Sequence, residues 1–246
     1  MSAELHAALR AGTAAPPEEV RGLLLAARGA APTWHPTGFM VAKLWDGEAG
    51  ALRLHVWPAD DRCYGDPLWP VHDHVWPLSS HVLVGRIHCR SAEIVPDPDG
   101  DHRRYVVDYG VGARSRLKRY GGAVRLRLSS VRRVAAGGGY DVAAGCFHTS
   151  SGPPGQLAAT LVAVGAPERD RPFVLGPPDG PSEIPVVRRA VEPMRWQALL
   201  SELCSRLGSS TTTPIRPSSD RAGLTATRRR PTRRGRGSGR TSGAAS

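Results

Sequence analysis

Cysteine is sparse in this 246-residue chain, limited to Cys63, Cys89, Cys146 and Cys204, and no two of the four form a C-x-x-C pair. That spacing indicates neither a zinc knuckle nor a disulfide framework, and it makes a reducing compartment the simpler expectation. Long apolar runs are missing too. The most apolar stretch near the start, residues 23–27, is too short for a signal-peptide core or a membrane span, and the first six residues carry no basic lead-in. The expectation is a cytoplasmic protein with no membrane partner. No internal repeat is visible.

The net charge of +11 suggests a nucleic-acid binder until its location is considered. Residues 209–246 hold nine arginines and one aspartate, so the preceding 208 residues carry only +3 of that charge. The basicity belongs to the tail. Its Ser, Thr, Pro and Arg composition offers almost nothing to bury, which predicts disorder over 209–246. Such a segment attracts nucleic acid weakly, non-specifically and in a salt-dependent way, and no aromatic is interleaved to stack on bases.

The body reads as all-β with helical flanks. Residues 3–11 and 17–28 predict two helices, the second started by Pro17, Glu18 and Glu19, and residues 1–37 form an N-terminal cover. From Gly38 onward, short apolar or alternating runs separated by Gly, Pro and Asp occupy 39–45, 51–57, 81–94, 104–109, 124–134, 147–150 and 160–165. Many short strands without intervening helices predict a sandwich or barrel over 38–176. Residues 166–187 are Pro-rich and expected to be mostly irregular. The extension 177–208 holds a closing helix at 192–207.

The chemistry concentrates in His72, His74 and His148. In a strand, side chains i and i+2 share a face, so the pair His72 and His74 aims two imidazoles at one point. A third imidazole from a distant strand would complete a set of three neutral nitrogen ligands and leave coordination positions open. Gly85 breaks the run that follows, as a strand needs where it bends at a corner. Gly137 and Gly145 permit the turns that deliver His148.

With these residues in view, the chain resembles the cupin superfamily over roughly 38–165. His72, His74 and Gly85 match the first cupin motif, and Gly137, Gly145 and His148 match the second at the family spacing. Ala143 stands where the family has proline, and Gly152 where it has asparagine. The usual glutamate ligand is absent, with Leu78, Ser79 and Ser80 in its place, and no acidic residue falls between Asp73 and Glu93. The remaining ligand set is similar to that of the cysteine dioxygenase branch, which holds ferrous iron with three histidines. The Ser-His-Tyr hydrogen-bonding set of that branch has no counterpart here.

The resemblance implies a double-stranded β-helix (jelly-roll barrel), a bound Fe(II) with zinc, nickel or manganese as alternatives, and frequent homodimers. It also implies an oxygenase that takes dioxygen and a small metal-chelating molecule, such as an amino acid or thiol. An isomerase, lyase or hydrolase using a redox-inactive metal is the alternative, as is a non-catalytic ligand-binding cupin. By period 2, Arg53, His55 and Trp57 share one strand face. Either that face looks into the barrel, where Arg53 would clamp a substrate carboxylate with His55 beside it, or it meets solvent while Leu52, Leu54 and Val56 pack the core. Trp76 either walls the site or fills the core. Tyr140 and Tyr105 are candidate hydrogen-bond donors to bound oxygen. Asp73, between the two ligands, should face away from them. Trp34–Phe39 reads as a turn feeding the first strand, and His35 as an ordinary residue.

Overall fold

The computed structural model describes residues 2–209, and the arginine-rich segment expected to be disordered lies outside them. Among the described residues there are three α-helices, a 3-10 turn (Ala27–Gly29) and twelve strands: α1 (Ser2–Arg10), α2 (Pro17–Ala26), β1 (Thr33–Trp34), β2 (Met40–Gly47), β3 (Gly50–Trp57), β4 (Leu78–Val84), β5 (Arg86–Pro96), β6 (His102–Tyr109), β7 (Arg114–Ala135), β8 (Gly139–Val142), β9 (Phe147–Ser151), β10 (Ala158–Val164), β11 (Phe173–Gly176), β12 (Glu183–Val187) and α3 (Pro193–Ser209). The strands form two sheets with antiparallel pairing. One runs β1-β2-β3-β10-β4-β8, the other β11-β6-β7-β5-β9 with β12 on β7.

The helices cover the first sheet. Leu52, Leu54 and Val56 on β3 and Leu161 on β10 are essentially inaccessible and join one core cluster with Leu5, Leu9, Val20, Leu24, Trp196, Leu200 and Leu203 from the helices. Burying each such side chain stabilises by roughly 1.5–3 kcal/mol. Every residue of β10 is buried, because helices lie on one of its faces and the interior between the sheets on the other. A strand covered on both faces reads as a continuous apolar run, and Ala158–Val164 has that texture. Helix α3 starts with Glu192 accepting hydrogen bonds from Met194 N (3.0 Å) and Arg195 N (2.7 Å). Trp196 then ties it to the 3-10 turn through Nε1–H to the Ala27 carbonyl at 2.8 Å.

Gly85 is where the chain changes sheets, from β4 to β5. Its φ of 75° is open to glycine at little cost, and a Cβ there would run into the Leu157 carbonyl. The expected single run 81–94 is thus two strands in two sheets. One further expectation needs correction. Residues 166–187 are mostly irregular, as expected, but they hold two short strands, β11 paired with β6 and β12 with β7. The sheets therefore run from Thr33 to Val187, beyond the expected limits 38–176. β12 was hidden because Pro185 interrupts its alternation; it pairs only with β7, and the Pro185 ring costs no bond there.

Candidate metal centre

His72 and His74 do not lie in a regular strand. They sit on an extended segment between β3 and β4, where His72 makes isolated antiparallel bridges to His148 on one side and Val174 on the other. This segment stands between β9 and β11, the two ends of the second sheet, and links them. Hydrogen bonds fix it: His72 N to His148 O (3.2 Å), His148 N to His72 O (2.9 Å), Asp73 N to Phe173 O (2.9 Å) and Leu175 N to Val71 O (2.9 Å). Residues that exchange both backbone bonds across an antiparallel pair point their side chains to the same face. His72 and His148 are such a pair, and His74 follows at i+2. The convergence expected from spacing thus arises from register.

The three rings form one cluster, with centroids 4.9 Å apart for His72–His74, 4.7 Å for His72–His148 and 5.1 Å for His74–His148. Their candidate ligand atoms all lie within 4.8 Å of one another, and no carboxylate or cysteine joins this group among the described residues. Nitrogens sharing one ion at about 2.1 Å stand roughly 3.0–3.4 Å apart, so small ring rotations suffice to close the set.

The donor chemistry suits a cation. His72 Nδ1 lies 2.9 Å from the Pro70 carbonyl and His148 Nδ1 lies 3.0 Å from the Cys146 carbonyl. A carbonyl only accepts, so both Nδ1 atoms carry the proton and both Nε2 atoms present a lone pair. Burial keeps the rings neutral: it pushes His148 down to about 3 and His74 well below the ordinary histidine value, with the neighbouring ligands adding to both shifts. His72 is lowered by burial too, against the opposing pull of the Pro70 carbonyl.

A cavity of about 120 Å³ opens beside the cluster. Arg53, His55, Trp76 and Tyr140 line it with the three histidines, whereas Leu52, Leu54 and Val56 pack under the helices. Strand β3 is covered on both sides, so the two faces weighed from the sequence are both interior. Arg53 lies over the Trp76 ring at 4.9 Å, and Trp76 stacks beside His74 at 6.2 Å. Burial pushes the Tyr140 hydroxyl up to about 12, although Ser150 and Ser80 hydrogen-bond it and oppose that shift.

Tyr105 does not belong with this group. It is fully buried in a separate cluster with Leu117 and Ile184, packed 4.6 Å from Trp69; Trp69 and Leu117 reach the cavity wall, and Tyr105 is not among the residues lining it. The Asp73 carboxylate accepts from the Phe173 N–H on β11, which occupies it away from the ligand cluster. Burial raises this carboxyl to about 6.

Two wall residues escaped the sequence reading. The turn after β1 places His35 5.3 Å from His72, stacked on Phe39 at 4.4 Å and bonded to Thr37 Oγ1 at 2.8 Å. Residues 35–39, after the two-residue β1, form the expected turn, and they also build the cavity. Arg188 comes from the end of β12, where its N–H donates to the Ala113 carbonyl at 2.9 Å. Alternation along Ile184, Val186 and Arg188 would have exposed it had β12 been recognised.

No helix among the described residues is long and apolar enough to cross a membrane. No model of a known protein family matches the chain, and no curated protein matches it either. A β-rich sandwich whose register gathers three neutral imidazoles into a possible metal site is thus the finding that any functional reading has to start from.

Proposed function

We propose that this chain is a cupin-type oxygenase that holds one Fe(II) through His72, His74 and His148 and acts on a small organic acid of the amino-acid or thiol kind. The observation carrying this reading is the three-imidazole cluster, fed from two remote segments and opening on a cavity lined by Arg53. The two antiparallel sheets with the site between them support a jelly-roll arrangement. When bound, a ferrous ion with three neutral nitrogen ligands supplies adjacent open positions for substrate and dioxygen.

The chain's own residues do the rest. Arg53 presents a planar guanidinium, braced over Trp76, that orients a carboxylate by paired N–H bonds. Tyr140 keeps its hydroxyl proton at any physiological pH and holds it within the Ser80 and Ser150 pair on the cavity wall. Phe39, Val41 and Val164 line the same cavity and limit the water around the reacting groups. The test is oxygen uptake by iron-loaded protein across a panel of amino acids and thiols. Stoichiometric uptake with one class supports the reading, whereas turnover that persists without oxygen favours a hydrolase, lyase or isomerase. Binding without turnover favours a non-catalytic cupin.

A further inference from the structure

The cavity wall carries two guanidinium groups, from elements far apart in sequence. Arg53 projects from β3 on the face that includes His55, and Arg188 follows β12 on the face that includes Ile184 and Val186. Neither is bonded to a carboxylate among the described residues; the ion pairs on this chain involve other groups. The carboxylate whose charge acts on Arg53, Asp46, is itself held by Lys43 at 2.6 Å. Of the two aspartates on the wall, Asp66 is exposed and Asp73 is committed to the Phe173 backbone.

Two positive charges in a partly desolvated wall are costly unless compensated: burial lowers Arg53, and Arg188 adds to that shift. A monoanion leaves one of the two charges unmatched. We infer that this cavity selects a substrate bearing two negative charges, either a dianionic oxyanion head such as a phosphate or a pair of carboxylates, held jointly by Arg53 and Arg188. The inference rests on the cavity being the substrate site, and it narrows the organic acid proposed above from a simple monocarboxylate to a dianion. Guanidinium forks match both chemistries bidentately.

The test uses metal-free full-length chain in chelator at pH 7.5 and constant ionic strength, titrated with malonate, inorganic phosphate and acetate while the melting temperature is followed. Malonate or phosphate should give a saturable rise at concentrations about tenfold below any acetate effect, a difference worth about 1.4 kcal/mol. Which of the two dianions acts at lower concentration separates the paired-carboxylate form from the phosphate form. Arg188→Gln and Arg53→Gln should each remove the preference for dianions, and the exposed Arg90→Gln should keep it. If acetate matches the dianions, or if Arg188→Gln retains the preference, the inference is overturned. Because no metal is present, failure here leaves the iron reading standing. Dianion binding by a protein that takes up no iron would sink that reading alone.

Discussion

His55 offers a sharp test of how this interior handles charge. It lines the cavity next to Phe39 (4.9 Å) and Trp57 (6.1 Å), and burial, reinforced by Arg53 and Arg188, drives its ring down to about 3. The unfolded chain protonates the same ring near pH 6.5. Between those values the unfolded state binds a proton that the folded state refuses, so stability is fully present above pH 6.5 and is lost as the pH falls toward 3. One such group contributes a slope of about 1 kcal/mol per pH unit, or about 1–2 kcal/mol by pH 5 once water in the cavity is allowed for. His55→Gln keeps a neutral polar side chain and removes the titration. Urea unfolding of metal-free protein at pH 7.5, 6 and 5 should show the two proteins converging as the pH falls, with the variant losing less. Parallel lines would refute the claim that this ring is held neutral by its surroundings.

Other substitutions probe the frame that positions the site. Gly85→Ala forces a side chain into a left-handed backbone against the Leu157 carbonyl, and should cost about 2 kcal/mol or more in a thermal melt. Leu200→Ala, under the first sheet, should cost about 2–5 kcal/mol by urea denaturation without altering metal content, because the cavity lies on the other side of that sheet. Tyr140→Phe should cost about 1 kcal/mol by the same assay, since the two serines lose a shared partner.

Much of the architecture was legible because the relevant signals are local. Alternation in β3, the continuous apolar texture of β10 and the Pro-Glu-Glu start of α2 each express a nearby physical rule. The histidine trio was legible for a different reason: i and i+2 share a face in any extended segment, so His72 and His74 converge without belonging to a regular strand. What stayed hidden depends on long-range pairing. The charged first half of β7 reads as loop because its exposed face faces solvent, and it becomes a strand only by pairing with β6 and β12. Arg188 reaches the cavity through that same pairing. Tyr105 was misplaced because strand alternation gives a side chain's face but not its layer; Trp69, from a loop, fills the space between it and the site.

The central claim is that His72, His74 and His148 together hold one metal ion. Elemental analysis of protein purified without added metal, beside His74→Ala and a control His81→Ala outside the cavity wall, tests it most directly. The account predicts near-stoichiometric metal, chiefly iron, in wild type and in the control, and its loss from a His74→Ala protein that circular dichroism shows to be folded. Equal metal in all three, or none in wild type even after anaerobic incubation with ferrous iron, would contradict it.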